Sequence, residues 1–193
     1  MRSLVAELRA SLVVTLFLVV LCCGIYPVIV WGIARGVFPH KANGSLIQVN
    51  GKVAGSSLLA QGFTGAAYFH PRPSAAGQGY DAANSSGTNL GPTSKKLIEN
   101  VKQRVAGYRA ENGLPPDVPV PADAVTSSAS GLDPHISIEN ARLQAGRVAT
   151  ARGLDRVDVL RKVTAHTEGR DLGFLGQPRV NILLLNLDLD GKL

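Results

Sequence analysis

Between Arg9 and Arg35 the chain carries no charged residue, and most of the interval is Leu, Val, Ile, Phe or Cys. A helix rising about 1.5 Å per residue over that interval crosses a hydrocarbon core about 30 Å thick, so the sequence predicts a transmembrane helix over residues 12–34. The apolar region of a cleavable signal peptide is shorter, roughly 7–15 residues. A lipoprotein signal is excluded because Cys22 follows the bulky Leu21. Tyr26 and Trp31 suit one membrane interface, with Arg35 as a terminal anchor. The span leaves a short N-terminal segment, 1–11, and a remainder, 35–193, of a size at which one hydrophobic core forms.

Charge does not set the orientation of this helix, since Arg2 and Arg9 precede it while Arg35 and Lys41 follow it closely. Pro27 removes one helical N–H and predicts a kink. Gly24 and the Gly32-x-x-x-Gly36 spacing allow close approach by another helix, although glycines are also ordinary in membrane helices. Gly24, Pro27, Gly32 and Gly36 are therefore the candidate helix-docking positions.

The formal charge is +6, but Lys and Arg are scattered instead of gathered into runs interleaved with aromatics, which argues against nucleic acid as a partner. Both cysteines, Cys22 and Cys23, lie inside the apolar stretch, so the remainder has no thiol for a disulfide, a zinc site or a nucleophile. Small strands open that domain, with Asn50-Gly51 as a tight hairpin turn. Residues 55–92 are rich in Gly, Ser, Asn and Pro and predict an ordered, functional loop region. Thr93 or Ser94 caps a helix whose Leu97, Ile98, Val101, Val105 and Tyr108 share a face and which ends near Gly113. A helical pair follows: one helix from 137 to about 150 with Gly153 as terminator, another from 155 to about 168 burying Val157, Leu160 and Val163. Over 180–190, Leu183, Leu185, Leu187 and Leu189 alternate with Leu184, Asn186, Asp188 and Asp190, which predicts a strand with one buried face. The class is α+β, one transmembrane helix followed by a single small domain, with no internal repeat.

Signals for chemistry are weak. His40, His70, His135 and His166 are the only histidines, and none has a second ligand at zinc spacing. Asp133-Pro134-His135 and His166-Thr167-Glu168 can converge on a metal only through the fold; loop backbone groups are the commoner partners of such side chains. Asp133 and His135 are too close in sequence to form a triad with Ser130, and no G-x-S-x-G elbow is present. At Gly91-Pro92-Thr93-Ser94-Lys95-Lys96, the phosphate-loop spacing is missing and Pro92 lacks an N–H. With no Walker lysine and no D-K-T-G-T stretch, any ATP hydrolysis belongs to a partner, and no cofactor of the chain's own is expected.

Specific motifs then appear in order: Tyr68-Phe69-His70-Pro71-Arg72-Pro73-Ser74-Ala75-Ala76, Tyr80-Asp81, Asn89-Leu90-Gly91-Pro92-Thr93-Ser94, Ser130-Gly131-Leu132-Asp133-Pro134-His135-Ile136-Ser137, Arg147-Val148-Ala149, Ala151-Arg152-Gly153, His166-Thr167-Glu168 and Phe174-Leu175-Gly176-Gln177-Pro178-Arg179-Val180-Asn181. Together with the N-terminal span, this series resembles the C subunit of a Kdp-type potassium-transporting ATPase over essentially the whole chain. Ser85-Ser86-Gly87-Thr88 departs from a run that is usually richer in glycine.

The resemblance implies an accessory, non-catalytic subunit in the bacterial cell (inner) membrane, its N-terminus cytoplasmic and its domain extracytoplasmic. Its partners would be a channel-like potassium-binding subunit, a P-type ATPase subunit and a small fourth membrane subunit, with ATP, magnesium and potassium handled by those partners. The family is described as stabilising the assembly and as a catalytic chaperone for nucleotide binding. Because a domain across the bilayer cannot touch cytoplasmic ATP, such an effect would pass through the helix. His70, Arg72, Tyr80, Asp81, Asn89, Asp133, His135, His166, Glu168, Arg179 and Asn181 are the motif candidates, and they serve equally as organisers of the domain's own loops. Asp81, Asp188 and Asp190 are candidates for attracting cations at an outer ion entrance. The alternative is a membrane-anchored extracytoplasmic metal- or solute-binding domain built on the regions of His70, Asp133 and His166.

Overall fold

The computed structural model describes residues 2–192. The chain divides into two units that meet between Leu46 and Ile47. In the first, helix α1 (Arg2–Val19) passes through a π-helical turn (Val20–Ile25) into α2 (Tyr26–Val37), followed by the short α3 (Pro39–Ala42). The run Ser3–Val37 is long and apolar enough to cross a membrane and extends beyond 12–34 at both ends. Pro27 lies in the first turn of α2. The strain expected there is absorbed by the π-turn, where the Tyr26 N–H reaches back five residues to the Leu21 carbonyl.

The second unit carries the α+β fold. Strands β1 (Leu46–Val49) and β2 (Lys52–Ser56) form a two-stranded sheet. They are joined by Asn50 (φ 52°) and Gly51 (φ 74°), the pair of positive dihedrals that a type I′ turn needs. Residues 57–94 then hold neither helix nor strand. Helix α4 (Lys95–Asn112) starts where Ser94 accepts from the Leu97 N–H and stops at Gly113 in the left-handed region. Ile98, predicted on its buried face, is 47% exposed.

After α5 (Ala122–Val125) and β3 (His135–Ile136), helix α6 (Ile138–Arg152) is capped by Ser137 and closed by Gly153, and α7 (Arg156–Ala165) is capped by Asp155. Helix α7 is shorter than predicted, and Glu168 belongs to strand β4 (Thr167–Glu168). Val157 points outward and is 61% exposed; Val159 and Val163 fill the core instead. These two lie four apart, one helical turn, so they share a face that Val157 does not.

The predicted strand over 180–190 is replaced by β5 (Arg179–Asn181) and helix α8 (Ile182–Leu189). Its first half, Ile182–Leu185, is continuously apolar, and such a short run suits a buried helix as well as a strand. Asn181 decides the outcome by accepting from the Leu184 N–H as the helix cap. Helix α8 sits in the core, with Ile182, Leu185 and Leu189 packed among Phe69, Ile136, Val148, Val159, Val163 and Val180. Ala141, Ala145 and Ala149 keep the inner face of α6 narrow, which lets neighbouring elements approach closely. Each fully buried Val, Leu or Ile contributes about 1.5–3 kcal/mol relative to exposure.

The second sheet has the order β3-β5-β4, antiparallel throughout. Ile136 opposes Val180, and Thr167 opposes Val180 from the other side. Strand alternation therefore puts His135, Asn181, Arg179 and Glu168 together on the opposite face, where His135 opposes Asn181 and Glu168 opposes Arg179.

Candidate functional site

The Gly/Pro-rich segment is held by side chains in place of a strand ladder. The Asn186 carboxamide of α8 accepts from the Phe69 N–H (2.9 Å) and donates to the Phe69 carbonyl (3.0 Å). One residue on, the Gln144 carboxamide of α6 does the same for His70, at 2.7 and 3.0 Å. Both amides are 1% exposed. Arg147 donates to the carbonyls of Ala66 (2.7 Å) and Tyr68 (2.9 Å). Arg152 donates to that of Ala67 (2.6 Å) and lies over the Tyr68 ring. Burial pulls the Arg147 guanidinium below its ordinary value, and Glu111 and Tyr108 oppose that shift. Two prolines deny this segment regular pairing, so buried peptide groups there need such partners.

His70 lies against this clamp, Nδ1 at 2.7 Å from the Glu111 carboxylate and Nε2 at 3.0 Å from the Gly65 carbonyl. Both ring nitrogens therefore meet acceptor oxygens. Beneath it, Asn140 Oδ1 accepts from the Tyr108 hydroxyl and from Gln144, while Asn140 Nδ2 donates to Asp123. Burial pushes the Tyr108 hydroxyl well above its ordinary value, with Asp123 adding to the shift.

On the polar face of the β3-β5-β4 sheet, the structure brings five predicted residues into one series of polar contacts. Arg72 donates to Asp133 (2.9 Å); Asp133 lies 3.7 Å from His135 Nδ1; His135 Nε2 is 3.4 Å from Glu168; and Glu168 accepts from Arg179 (3.0 Å). Arg179 continues the series to Asp171 at 3.1 Å. Asn181 joins from the same face by donating to the Ser57 carbonyl. Desolvation pushes the Asp133 carboxyl up, but the neighbouring His135 ring and the hydrogen bonds from the His135 N–H and Arg72 outweigh it and hold the carboxyl below its ordinary value. A pocket of 260 Å³ opens beside Arg72, Asp133, His135 and Arg179.

The remaining predicted residues stand apart. Tyr80 donates from its hydroxyl to the Arg72 carbonyl (2.9 Å), and burial raises its pKa. Asp81 closes its own turn, accepting from the Ala83 N–H and the Asn84 side chain. Asn89 is exposed, with φ 51° in the left-handed region that asparagine tolerates. His166 does not meet His135 or Asp133; it pairs with Asp188 (3.0 Å), which Lys162 also holds at 2.6 Å. Asp190 is bound by Arg152 and Lys192. Among the described residues, no group of three or more His, Cys, Asp and Glu is placed to hold a metal.

In the first unit, Gly24 lies in the π-turn while Pro27, Gly32 and Gly36 lie in α2. A Cβ added at any of the three glycines meets no atom within 4 Å. A concavity of 590 Å³ runs along Val19, Val20, Cys23, Gly24 and Val28.

Gln144, Asn140, Arg147, Arg152 and Asn186 were not among the sequence candidates. Their signal is an amide or guanidinium at helical spacing among small apolar residues: Asn140, Gln144 and Arg147 fall at i, i+4 and i+7 on α6. A search for apolar periodicity passes over such a polar stripe.

One long apolar helix followed by an α+β domain whose motif side chains bind its own loops defines a single-span membrane-protein class, a small domain on one candidate transmembrane helix. Within that class the assignment is specific: the chain belongs to the KdpC family, K+-transporting ATPase, c chain, whose model matches residues 8–191. It is 52% identical over 186 residues to the potassium-transporting ATPase KdpC subunit of Koribacter versatilis, covering 96% of this chain and 94% of that one. The KdpC subunit of Nitratidesulfovibrio vulgaris is 57% identical over 185 residues, covering 94% and 92%. That of Myxococcus xanthus is 58% identical over 171 residues, covering 87% and 80%.

Proposed function

We propose that the chain is a non-catalytic accessory subunit of a high-affinity potassium-uptake complex in the bacterial inner membrane, with its N-terminus cytoplasmic and residues 35–193 outside. One contrast carries this reading. Most motif side chains of the second unit are engaged by other residues of that unit, whereas the apolar run Ser3–Val37 has none of its most apolar window buried. The first arrangement suits a rigid module, and the second suits a helix meant for lipid and other helices. Similarity to potassium-transporting ATPase subunits over nearly the whole chain supports the same reading. The partners are a channel-like potassium-binding subunit and a P-type ATPase subunit, with a small fourth membrane subunit. ATP and magnesium are bound by the ATPase subunit and potassium by the channel-like one.

The chain stabilises that assembly, and its helix transmits any effect on ATP affinity by binding two pump conformations unequally. The domain lies at the outer mouth of the channel-like subunit. Asp188 and Asp190 are each paired with cations, so their fields are offset locally; among the described residues Asp81 is engaged by neutral donors alone and is the remaining candidate for attracting potassium. Unchanged potassium affinity and uptake rate for Asp81→Asn in an assembled complex would remove that role.

Affinity purification of the chain from its native membrane in mild detergent, with mass spectrometry and a potassium-stimulated ATPase assay, tests the subunit reading. A P-type ATPase and a channel-like subunit should accompany it, and activity should disappear when the chain is deleted. A chain that purifies alone points instead to an anchored binding domain.

A further inference from the structure

Between β4 and β5 the chain doubles back at residues 170–176. The Asp171 N–H donates to the Leu175 carbonyl (3.0 Å), the Leu175 N–H to the Asp171 carbonyl (2.9 Å) and the Gly173 N–H to the Arg170 carbonyl (3.1 Å). Gly173 (φ 83°) and Gly176 (φ 75°) supply the reversal. The base is fastened to the sheet by Arg179, which binds both Asp171 and Glu168. From this fixed hairpin Leu172, Phe174 and Leu175 project, 83%, 68% and 48% exposed. Among the described residues, Leu172 and Phe174 are the most exposed large hydrophobics, above every side chain of the apolar helix. Leu172 also holds φ 53°, a left-handed conformation unfavourable for leucine. None of these outward groups adds to the domain's own core, so a strained backbone presents an apolar tip that the fold itself does not use.

We infer that this tip is a docking knob that inserts into an apolar cup on another subunit of the same assembly, with an acidic group at the rim of the cup meeting Arg170. The inference rests on the subunit reading above and names the contact through which the second unit engages. Two observations select this occupant. The three side chains offer on the order of 300–400 Å² of apolar surface, below the roughly 800 Å² per partner of a free-standing interface, so the tip alone does not hold a second copy. A partner kept close by another contact, such as a membrane helix, needs less area. Charge disfavours a lipid surface: Asp171 and Glu168 pair with Arg179, leaving Arg170 as the cation of the tip with no acidic partner among the described residues, where basic lipid-binding clusters gather roughly 4–8 Lys and Arg. A rigid apolar knob with a single such charge suits a shaped protein cup.

Leu172→Gly separates docking from folding, because glycine accepts the left-handed dihedral and removes only the side chain. The full-length variant in detergent should keep or raise the wild-type thermal midpoint. Its yield of co-purified assembly subunits from native membrane should fall by on the order of tenfold when combined with Phe174→Ser. Arg170→Glu should lower the yield as well. A photocrosslinker at position 174, introduced in the intact membrane, should label a subunit of the assembly identified by mass spectrometry. Crosslinks only to lipid or to a second copy of the chain overturn the docking knob. So does an undiminished yield from the Leu172→Gly, Phe174→Ser chain beside a wild type that brings its partners. A wild type that purifies alone defeats the subunit reading itself, and the docking knob with it.

Discussion

The Asn186 side chain makes both backbone hydrogen bonds of Phe69, 117 residues away in sequence, at 2.9 and 3.0 Å. A carboxamide presents one donor and one acceptor in the same plane, the pattern a neighbouring strand would offer. Phe69 is completely buried, and a segment interrupted by Pro71 and Pro73 cannot enter a ladder. Asn186 thus anchors the Gly/Pro-rich loop to the core helix α8.

Asn186→Leu should therefore cost about 2–5 kcal/mol even though the replacement is apolar and of similar volume, because it leaves two buried peptide groups without partners. Chemical denaturation of the full-length chain in detergent should show the lower midpoint. Leu184→Met, at a half-buried position of the same helix, should shift it by less than about 1.5 kcal/mol. Equal effects from the two would remove the special role of the amide.

The same residue shows where the sequence is legible and where it is not. Ser94, Ser137, Asp155, Gly113 and Gly153 announce helix ends locally, and Asn50-Gly51 announces a hairpin, because each acts on backbone a few residues away. Over 182–189 a continuous apolar run, Ile182–Leu185, leads into leucines alternating with Asn186 and Asp188, a pattern that reads as a strand. The helix cap at Asn181 that decides otherwise is a detail the period does not show. The site is less legible for a different reason. Arg72 and Asp133 lie 61 positions apart, as His70 and Gln144 lie 74 apart, and only tertiary packing joins them. The motif residues are visible in the sequence; the helix amides that complete their bonding are not.

The Arg72–Asp133–His135 group makes stability depend on acid. Hydrogen bonding holds the Asp133 carboxyl below its unfolded value despite desolvation, so its contribution is fully present above the unfolded carboxylate value, about 4, and is lost as pH falls through the lower folded one. Asp133→Asn should lower stability by about 1–2 kcal/mol at pH 7, and the gap to wild type should narrow below about pH 4. Thermal midpoints of both chains across pH 2–7 measure this. A gap that stays constant down to the lowest pH means that Asp133 is not held low. Asp188, lowered chiefly by its hydrogen bond to Lys162, and Asp190, where bonds to Lys192 and Arg152 outweigh desolvation, act in the same direction. Both chains should therefore remain acid-sensitive.

Gly131 joins the loop around Ala76 and Ser86 to the segment before β3. Its φ is +68°, and an added Cβ would lie 2.6 Å from the Ser86 carbonyl oxygen and 2.7 Å from the Ala76 nitrogen, both backbone atoms. Gly131→Ala should thus cost about 2–5 kcal/mol from backbone strain and overpacking together. Gly113 has a similar dihedral, +62°, but nothing within 4 Å, so Gly113→Ala should cost only about 1–2 kcal/mol. Denaturation midpoints of the two variants separate close approach from dihedral strain, and equal losses would show that the crowding at Gly131 is relieved by movement of the loop.

The membrane helix allows the opposite kind of test, one in which the free chain should not change. A Cβ at Gly24, Gly32 or Gly36 meets no atom, and Gly24 borders the concavity that follows the π-turn. If this surface receives another helix, the absence of side chains matters only once that helix is present, since small residues act by letting backbones approach. Gly24→Leu and Gly32→Leu should leave helix content unchanged, or slightly raised because leucine is the better helix former. In the assembled complex each should reduce recovery of the partner subunits several-fold, about 1 kcal/mol of lost packing. Circular dichroism of the isolated chain and subunit ratios after purification give the two readings. Full recovery with both leucines in place would mean that this face meets lipid, leaving the other faces of the helix and the second unit to hold the assembly.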